Sequence, residues 1–172
     1  NRGKGYALLH GFRHSSGDLV VFFDGDLDIP AQQVQLLIKA LRNMDVDVAI
    51  TSKWHKHSKI IATPMRKILS KFFNALVQIS TGIRLSDTQT GAKIFKRKVL
   101  EETAPLLTIK RYAFDVELMV AVTAKGYKIA EIPSIRHIKL TGRFSFKEIV
   151  KMLVDLLAIT YRHRVKKQYS RK

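Results

Sequence analysis

The run LVVFF at residues 19–23 restricts the fold of this chain more than any other feature, because no polar residue alternates with its apolar ones. A strand of this kind is covered on both faces, as in a parallel sheet with helices on each side. A helical pattern of apolar residues follows Pro30 and leads into a second strand, VDVAITS. This strand–helix–strand order predicts an α/β fold in which the two strands run parallel.

The rest of the chain continues the alternation of helices and strands. A long helix is predicted from Pro64 to Gly82, with a broad apolar stripe whose pair Phe72 and Phe73 is expected in the core. The predicted strands that follow are AKIF and YKIAEIP, and the predicted helices are KRKVLEETA and FDVELMVAVTA. From Phe144 the pattern is again helical and amphipathic, and it ends in the basic run RHRVKKQYSRK.

Length and charge limit the classes of function. The 172 residues suffice for one domain, and the net charge of +17 with a pI of about 10.3 predicts an acidic partner: nucleic acid, an anionic membrane surface or a phosphorylated substrate. The chain has no cysteine, which excludes disulfides and thiolate zinc sites. No apolar run reaches the roughly 18 to 20 residues of a membrane-spanning helix, so any membrane contact is expected to be peripheral. Because the chain begins inside an α/β unit, we expect an N-terminal portion to be missing.

Three carboxylates, Asp24, Asp26 and Asp28, stand at alternate positions after the strand LVVFF. Ligands of open α/β sheets bind at the carboxyl ends of the strands, where these residues are expected. Clustered carboxylates repel each other unless a cation neutralises them, and hard oxygen ligands suit Mg²⁺ or Mn²⁺. Such a metal would bridge a diphosphate. The alternative is a solvated turn, with Asp28 as a helix cap.

Several motifs together resemble a known family. The stretch NRGKGYALLHGFRHSSGDLVVFFDGDLDIP is similar to the centre of a family 2 glycosyltransferase of the polyprenol-phosphate sugar transferase type. The segments DTQTGAKIFKR, YAFDVEL and KIAEIP resemble dolichyl-phosphate glucosyltransferases, whereas DGDLDIP is closer to dolichyl-phosphate mannosyltransferases. The resemblance extends from Asn1 to about Tyr161.

The resemblance implies a GT-A fold, a Rossmann-like α/β arrangement with a mainly parallel sheet and helices on both faces. It implies transfer of glucose or mannose, with inversion, from UDP-glucose or GDP-mannose to a polyprenyl (dolichyl) phosphate, with Mg²⁺ or Mn²⁺. Residues 1–143 would form the C-terminal part of the catalytic domain, without its first donor-binding strand. Residues 144–172 would form a basic amphipathic helix and tail next to a membrane, and the protein would lie peripherally at the cytoplasmic face.

The resemblance also assigns roles to basic residues. Arg2 and Lys4 would face the donor together with Asp24 and Asp26 of the metal motif. Lys53 and Arg66 stand where the family carries basic residues for the acceptor phosphate. The family usually has Arg at the position of Lys53. This chain therefore keeps the positive charge there but loses the two parallel hydrogen bonds that a guanidinium donates to a phosphate. Arg66 also gains from the positive end of the helix dipole.

The remaining site residues are acidic or amidic. The matched motif SDTQTGAK places Asp87 and Gln89 against the sugar or the acceptor, and the alternative is an Asx turn. In relatives that act on hydroxyl acceptors an acid near Asp115 serves as the base, and the alternative for Asp115 is helix capping.

Two other functions stay open from the sequence. A nucleic-acid-binding module would explain the basic charge but has no use for three clustered aspartates, so we predict no nucleic-acid partner. A soluble GT-A transferase acting on a saccharide or protein hydroxyl would keep the fold and change the acceptor. The basic amphipathic C-terminal segment favours a membrane surface as a partner instead.

Overall fold

The computed structural model describes residues 3–25, 29–61, 63–111, 113–135, 138–139 and 146–170. Within these residues the helices are α1 (Lys4–Arg13), α2 (Gln33–Asn43), α3 (Pro64–Thr81), α4 (Arg97–Thr103), α5 (Phe114–Ala124) and α6 (Phe146–Thr160). The strands are β1 (Leu19–Phe23), β2 (Val48–Ser52), β3 (Ile60–Ile61), β4 (Ala92–Lys96), β5 (Ile129–Pro133) and β6 (Ile138–Lys139). The strand LVVFF and the helix FDVELMVAVTA are confirmed with the predicted bounds.

The main sheet has the strand order β1–β4–β2–β5 in the described part of the chain. β4 runs antiparallel to both of its neighbours, whereas β2 and β5 are parallel. β1 and β2 therefore point in the same direction, as predicted, but β4 lies between them and runs antiparallel to both. The expectation of a mainly parallel sheet is thus wrong for the described part of the chain, where the sheet is mixed. The carboxyl ends of β1, β2 and β5 and the amino end of β4 consequently meet at one edge of the sheet.

Helices cover both faces of this sheet. On one face α1, α4 and α5 pack against it, where the ring of Phe22 lies 5.3 Å from that of Phe95 and 6.5 Å from that of Phe114. On the other face α2 packs through Leu37 and Leu41. The far side of α5 is covered by α3, α6 and the C-terminal segment, so residues 114–122 are all buried. This explains why α5 is apolar all round.

The outer side of α3 differs from the prediction. The helix ends at Gly82 as expected, with a φ of 79° that favours glycine. Val77 is buried and Phe73 packs against the core, but Phe72 is 60% exposed. The prediction that both Phe residues lie in the core is therefore wrong for Phe72. Consecutive residues point about 100° apart around a helix, and α3 is covered on one side.

The C-terminal segment is packed onto α5. In α6 Leu156 and Ile159 are buried, and the helix continues into a π-helical turn at Tyr161–Val165. Tyr169 is fully buried, and its hydroxyl donates to Oε1 of Glu117 at 2.6 Å. Among the described residues, no helix has both the length and the apolar character needed to cross a membrane.

Candidate active site

Two glycines bring the start of α1 close to the start of α5. Gly3 has a φ of 96°, and a Cβ there would overlap the carbonyl oxygen of Lys110. At Gly5 a Cβ would lie 2.5 Å from the ring of Phe114. The Gly5 N–H also donates to the Lys110 carbonyl at 3.0 Å. The Gly-Lys-Gly sequence thus lets the start of α1 approach the start of α5 closely, and it directs Lys4 toward the edge of the sheet.

Lys4 joins two carboxylates from different elements. Its Nζ lies 2.8 Å from Oδ1 of Asp24, which follows β1, and 3.1 Å from Oδ2 of Asp115 in α5. The structure therefore joins Lys4 and Asp24, which the sequence analysis placed together on the donor side, to Asp115, which it named separately. The capping alternative for Asp115 does not apply, because the N-cap position of α5 is Ala113 and has no side-chain cap.

A second lysine, Lys93 in β4, completes this arrangement. Its side chain is 1% exposed, and its Nζ lies 2.7 Å from Oδ1 of Asp115 and 2.5 Å from the carbonyl oxygen of Thr90. Asp115 is thus held between two ammonium groups, one on each carboxylate oxygen. The sequence analysis missed Lys93. The available signal was a single charged residue inside the apolar strand AKIF, because such a charge is buried only with a partner.

The charges of this cluster stabilise one another. Burial alone would raise the pKa of Asp115, but the ammonium groups of Lys93 and Lys4 hold that pKa below its ordinary value. Burial would likewise lower the pKa of Lys4, yet the carboxylates of Asp115 and Asp24 raise it above its ordinary value. Asp115 is therefore ionised at neutral pH and is a weak proton acceptor.

Asp24 lies against Gly91, the residue before β4. The Asp24 N–H donates to the Gly91 carbonyl at 2.8 Å, and a Cβ on Gly91 would lie 2.7 Å from Oδ2 of Asp24. Only glycine leaves room for the carboxylate in this position. The Asp24 side chain is 38% exposed, so its hard oxygen atoms are accessible to a cation of the Mg²⁺ type.

The other predicted residues of the donor side, Arg2, Asp26 and Asp28, lie outside the described residues. Within the described ranges, no group of three His, Cys, Asp or Glu side chains has the arrangement of a metal site. Among the described residues, Asp24 alone of the predicted metal ligands can be placed, and its carboxylate oxygens are suitable ligands for Mg²⁺ or Mn²⁺. The capping alternative for Asp28 falls on the same undescribed residues and stays a prediction; the N-cap position of α2 is Gln32.

A second ion pair lies beyond the carboxyl end of β2. Lys53 Nζ is 2.6 Å from Oδ1 of Asp87, and the Lys53 N–H donates to Oδ2 at 3.1 Å. The N–H of Gln89 also donates to Oδ1 of Asp87 at 3.3 Å. The Asx turn, which was the alternative to a functional role for Asp87, is thus present, and it coexists with the ion pair. The structure brings Lys53, Asp87 and Gln89 together.

Glu131 in β5 anchors this loop to the sheet. Its carboxylate accepts hydrogen bonds from the Ser86 hydroxyl at 2.7 Å and from the N–H groups of Ser86 and Asp87 at 3.0 and 3.1 Å. The sequence analysis missed Glu131, although a lone carboxylate inside the strand KIAEIP was the signal. Arg66 lies on a different element, in the first turn of α3, where its N–H donates to Oγ1 of Thr63 at 3.4 Å.

The sequence matches known proteins along most of its length. The model of the family described as "Glycosyl transferase family 2" matches residues 1–104. A dolichyl-phosphate beta-glucosyltransferase of Saccharomyces cerevisiae is 32% identical, with 92% of this chain and 52% of the relative covered. One from Trichomonas vaginalis is 30% identical, with 96% of this chain and 52% of the relative covered. The chain spans about half the length of these relatives.

The fold is also that of a solved enzyme. Glucosyl-3-phosphoglycerate synthase from Mycobacterium tuberculosis superposes with a TM-score of 0.65 at 18% identity, with 94% of this chain and 54% of that chain covered. This similarity confirms the predicted α/β fold of the GT-A type. Since the family match covers more than half of the chain, this protein belongs to glycosyl transferase family 2.

Proposed function

We propose that the protein transfers glucose from UDP-glucose to the phosphate of a polyprenol of the dolichyl type. Two relatives matched over 92% and 96% of the chain are named dolichyl-phosphate beta-glucosyltransferases, which supports glucose rather than mannose. The glucose of UDP-glucose is α-linked, so one direct displacement that yields a β-linked product inverts the anomeric carbon. An oxygen of the acceptor phosphate forms the new bond as the bond to UDP breaks.

The state of Asp115 is the observation that carries the choice of acceptor. Both of its carboxylate oxygens are paired with ammonium groups, at 2.7 Å and 3.1 Å, and its pKa is lowered. A hydroxyl acceptor needs a base to take its proton, whereas a phosphate oxygen is already ionised near neutral pH. A carboxylate whose two oxygens are both paired with lysines is a weak base. Asp115 therefore suits a phosphate acceptor, which needs no base, better than a hydroxyl acceptor.

Lys4 and Asp24 would form the donor side. Solved complexes of glucosyl-3-phosphoglycerate synthase contain Mn²⁺ with UDP-glucose, or Mg²⁺ with UDP, and this supports Mg²⁺ or Mn²⁺ here. Asp24, with Asp26 and Asp28, would hold the ion, which would offset the charge that develops on the departing diphosphate. Arg2 and Lys4 would bind the donor phosphates.

Lys53 and Arg66 would receive the acceptor phosphate. Lys53 is fixed by Asp87, and Arg66 lies at the start of α3, where the helix dipole also favours an anion. Asp87 and Gln89 would lie at the sugar or acceptor end of the site.

We also place the protein peripherally at the cytoplasmic face of a membrane, with residues 144–172 next to the lipid. On α6, Val154 and Leu157 are 59% and 70% exposed. The basic residues that follow, such as Arg164 and Lys167, suit anionic headgroups.

The test uses the protein at its full natural length in detergent with a polyprenyl phosphate. Radiolabelled UDP-glucose and GDP-mannose are offered in parallel, with Mn²⁺ or with EDTA. We expect metal-dependent label in the lipid phase from UDP-glucose, lost in Asp26→Ala and retained in Asp18→Ala, an exposed aspartate before β1. Transfer to a saccharide or protein hydroxyl instead, or salt-sensitive nucleic-acid binding without any transfer, would contradict the proposal.

A further inference from the structure

Glu117 joins two segments that lie far apart in the sequence. It belongs to the first turn of α5, two residues after Asp115, and its side chain is fully buried. Its Oε2 accepts hydrogen bonds from the N–H groups of Thr108 and Ile109, at 2.9 and 2.7 Å. Its Oε1 accepts a hydrogen bond from the Thr108 hydroxyl at 2.9 Å. Glu117 thus fixes the loop that precedes α5.

The other partners of Glu117 come from the segment that follows α6, residues 161–170. The Tyr169 hydroxyl donates to Oε1 at 2.6 Å, and the guanidinium of Arg162 donates to the same oxygen at 3.0 Å. Nε of Arg162 also donates to the Tyr169 hydroxyl at 3.1 Å, so the two side chains hold each other in place. A buried carboxylate is costly without a cationic partner. The orientation of Glu117 therefore depends on this segment.

The loop that Glu117 fixes continues into the candidate donor side. Its next residue, Lys110, accepts the N–H of Gly5 with its carbonyl oxygen at 3.0 Å, and the same oxygen lies against Gly3. Lys4 stands between these two glycines, and its Nζ contacts the carboxylates of the donor side at 2.8 and 3.1 Å. Because the two backbones are in direct contact, a shift of the loop must also shift the start of α1.

We propose that Tyr169 and Arg162 are positioning residues of the donor side. They orient Glu117, which fixes the loop that leads to Lys110, and the Lys110 carbonyl sets the position of Lys4. The inference rests on the proposed function for the ligand that Lys4 receives, the diphosphate of UDP-glucose. Both residues act through Lys4 and not by contact with the donor. The segment after α6 thus contributes to donor binding, although it lies at the opposite end of the chain from the donor motifs.

The reactivity of Lys4 tests this positioning without any donor. The full-length protein is treated with a trace of acetic anhydride, and mass spectrometry measures the rate of acetylation at each lysine. Burial lowers the pKa of Lys4, but the carboxylates of Asp115 and Asp24 raise it above its ordinary value, so the reactive neutral amine is scarce in the wild type. We expect Lys4 to react about fivefold faster in Tyr169→Phe, the change that loss of one hydrogen bond of ordinary strength produces. Glu117→Gln should act in the same direction, because an amide of the same shape cannot accept hydrogen bonds at both of its terminal atoms.

Two lysines and one variant separate positioning from a general loss of stability. Lys98, with a side chain that is 77% exposed, reports the activity of the reagent, and Lys93, which is 1% exposed, reports opening of the whole fold. Val46→Ala removes buried apolar atoms before β2, at the edge of the sheet opposite the site, and so lowers stability without touching the loop. It should leave Lys4 unchanged. Faster acetylation of Lys4 in Val46→Ala, or of Lys93 together with Lys4 in Tyr169→Phe, would overturn the inference.

Binding of UDP with Mn²⁺, measured by equilibrium dialysis, tests whether the effect passes through Lys4. Tyr169→Phe should weaken binding about fivefold in the wild type, and it should have no further effect in Lys4→Met. An equal loss in both backgrounds would mean that Tyr169 acts by another route, and it would overturn the inference. Glucose transfer by the wild type with unchanged Lys4 reactivity in Tyr169→Phe would overturn this inference alone. The expected Lys4 reactivity without UDP binding or glucose transfer in the wild type would overturn only the proposed function.

Discussion

Lys93 and Asp115 form an ion pair that is almost completely withdrawn from water, with 2.7 Å between Nζ and Oδ1 and side chains 1% and 5% exposed. Breaking a buried pair by removing one partner leaves the other charge without compensation. The pair lies where β4 meets the start of α5, and Lys4 extends it to Asp24. The candidate donor side is therefore built on a structural ion pair as well as on accessible residues.

Replacing Lys93 by Met should lower the free energy of unfolding by about 3 to 5 kcal/mol, because Asp115 would keep only Lys4 as a partner. Urea denaturation measures the change. Lys96→Met is the matched control in the same strand, since Lys96 pairs with Asp47 with side chains 42% and 27% exposed, and it should cost less than about 1 kcal/mol. An equal loss of unfolding free energy in the two variants would show that burial does not determine how much the Lys93–Asp115 ion pair contributes to stability.

The same cluster predicts a dependence of stability on pH. The folded-state pKa of Asp115 is below its ordinary value of 3.8, so its contribution is present above that pH and is lost as pH falls through the folded-state pKa. The folded-state pKa of Lys4 is above 10.5, so its contribution is present below that pH and is lost as pH rises further. The free energy of unfolding, measured by denaturation at a series of pH values, should fall less steeply at acid pH in Asp115→Asn and less steeply at alkaline pH in Lys4→Met. The same pH dependence in both variants as in the wild type would contradict the pKa shifts of the two residues.

Gly91→Ala should reduce catalysis more than stability. Its Cβ would lie 2.7 Å from Oδ2 of Asp24, so the carboxylate must move away from Lys4 and from the predicted metal site. We expect at least about a tenfold lower kcat/KM for the proposed glucose transfer, since a displaced catalytic geometry is costly. Gly11→Ala is the control: a Cβ at this helical position meets nothing within 4 Å, and the change should stabilise α1 by about 0.5 to 1 kcal/mol. Normal kcat/KM in Gly91→Ala would refute the role of this close approach.

Tyr169→Phe should destabilise the protein by about 1 to 2 kcal/mol, because it removes a buried hydrogen bond to Glu117. Arg162→Met should cost more, since its guanidinium is the cationic partner of Glu117 at 3.0 Å. Thermal unfolding of both variants can be compared with that of Tyr161→Phe, a change at a residue that is 53% exposed. That control should differ from the wild type by less than about 0.5 kcal/mol, and a result for Tyr169→Phe within the same limit would contradict the prediction.

Local sequence patterns were sufficient to predict most helices and strands of this fold. LVVFF lacks polar alternation because both faces of β1 are covered, and Pro64 and Gly82 mark the two ends of α3. The position of β4 between β1 and β2 was not predictable in the same way. Strand order depends on pairing across distant segments, and a short apolar run such as AKIF is compatible with several neighbours.

Part of the candidate site could also be predicted. Lys4, Asp24 and Asp87 were found through motifs, and the structure shows the ion pairs that they form. Lys93 and Glu131 were not predicted, because each is a single charge inside a strand whose partner lies far away in sequence. Phe72 was taken for core, since an apolar stripe looks the same in the sequence whether it is buried or exposed.

The insertion of β4 between β1 and β2 has a consequence for how the chain acquires its structure during synthesis. β1 and β2 emerge from the ribosome before β4, which separates them in the sheet and begins 40 residues after the end of β2. Until then, the edges of β1 and β2 that pair with β4 present unpaired backbone groups, which favour aggregation. We expect folding of the sheet to be late and slow, as for other topologies with distant pairings, and chaperones to engage nascent chains that end before residue 92.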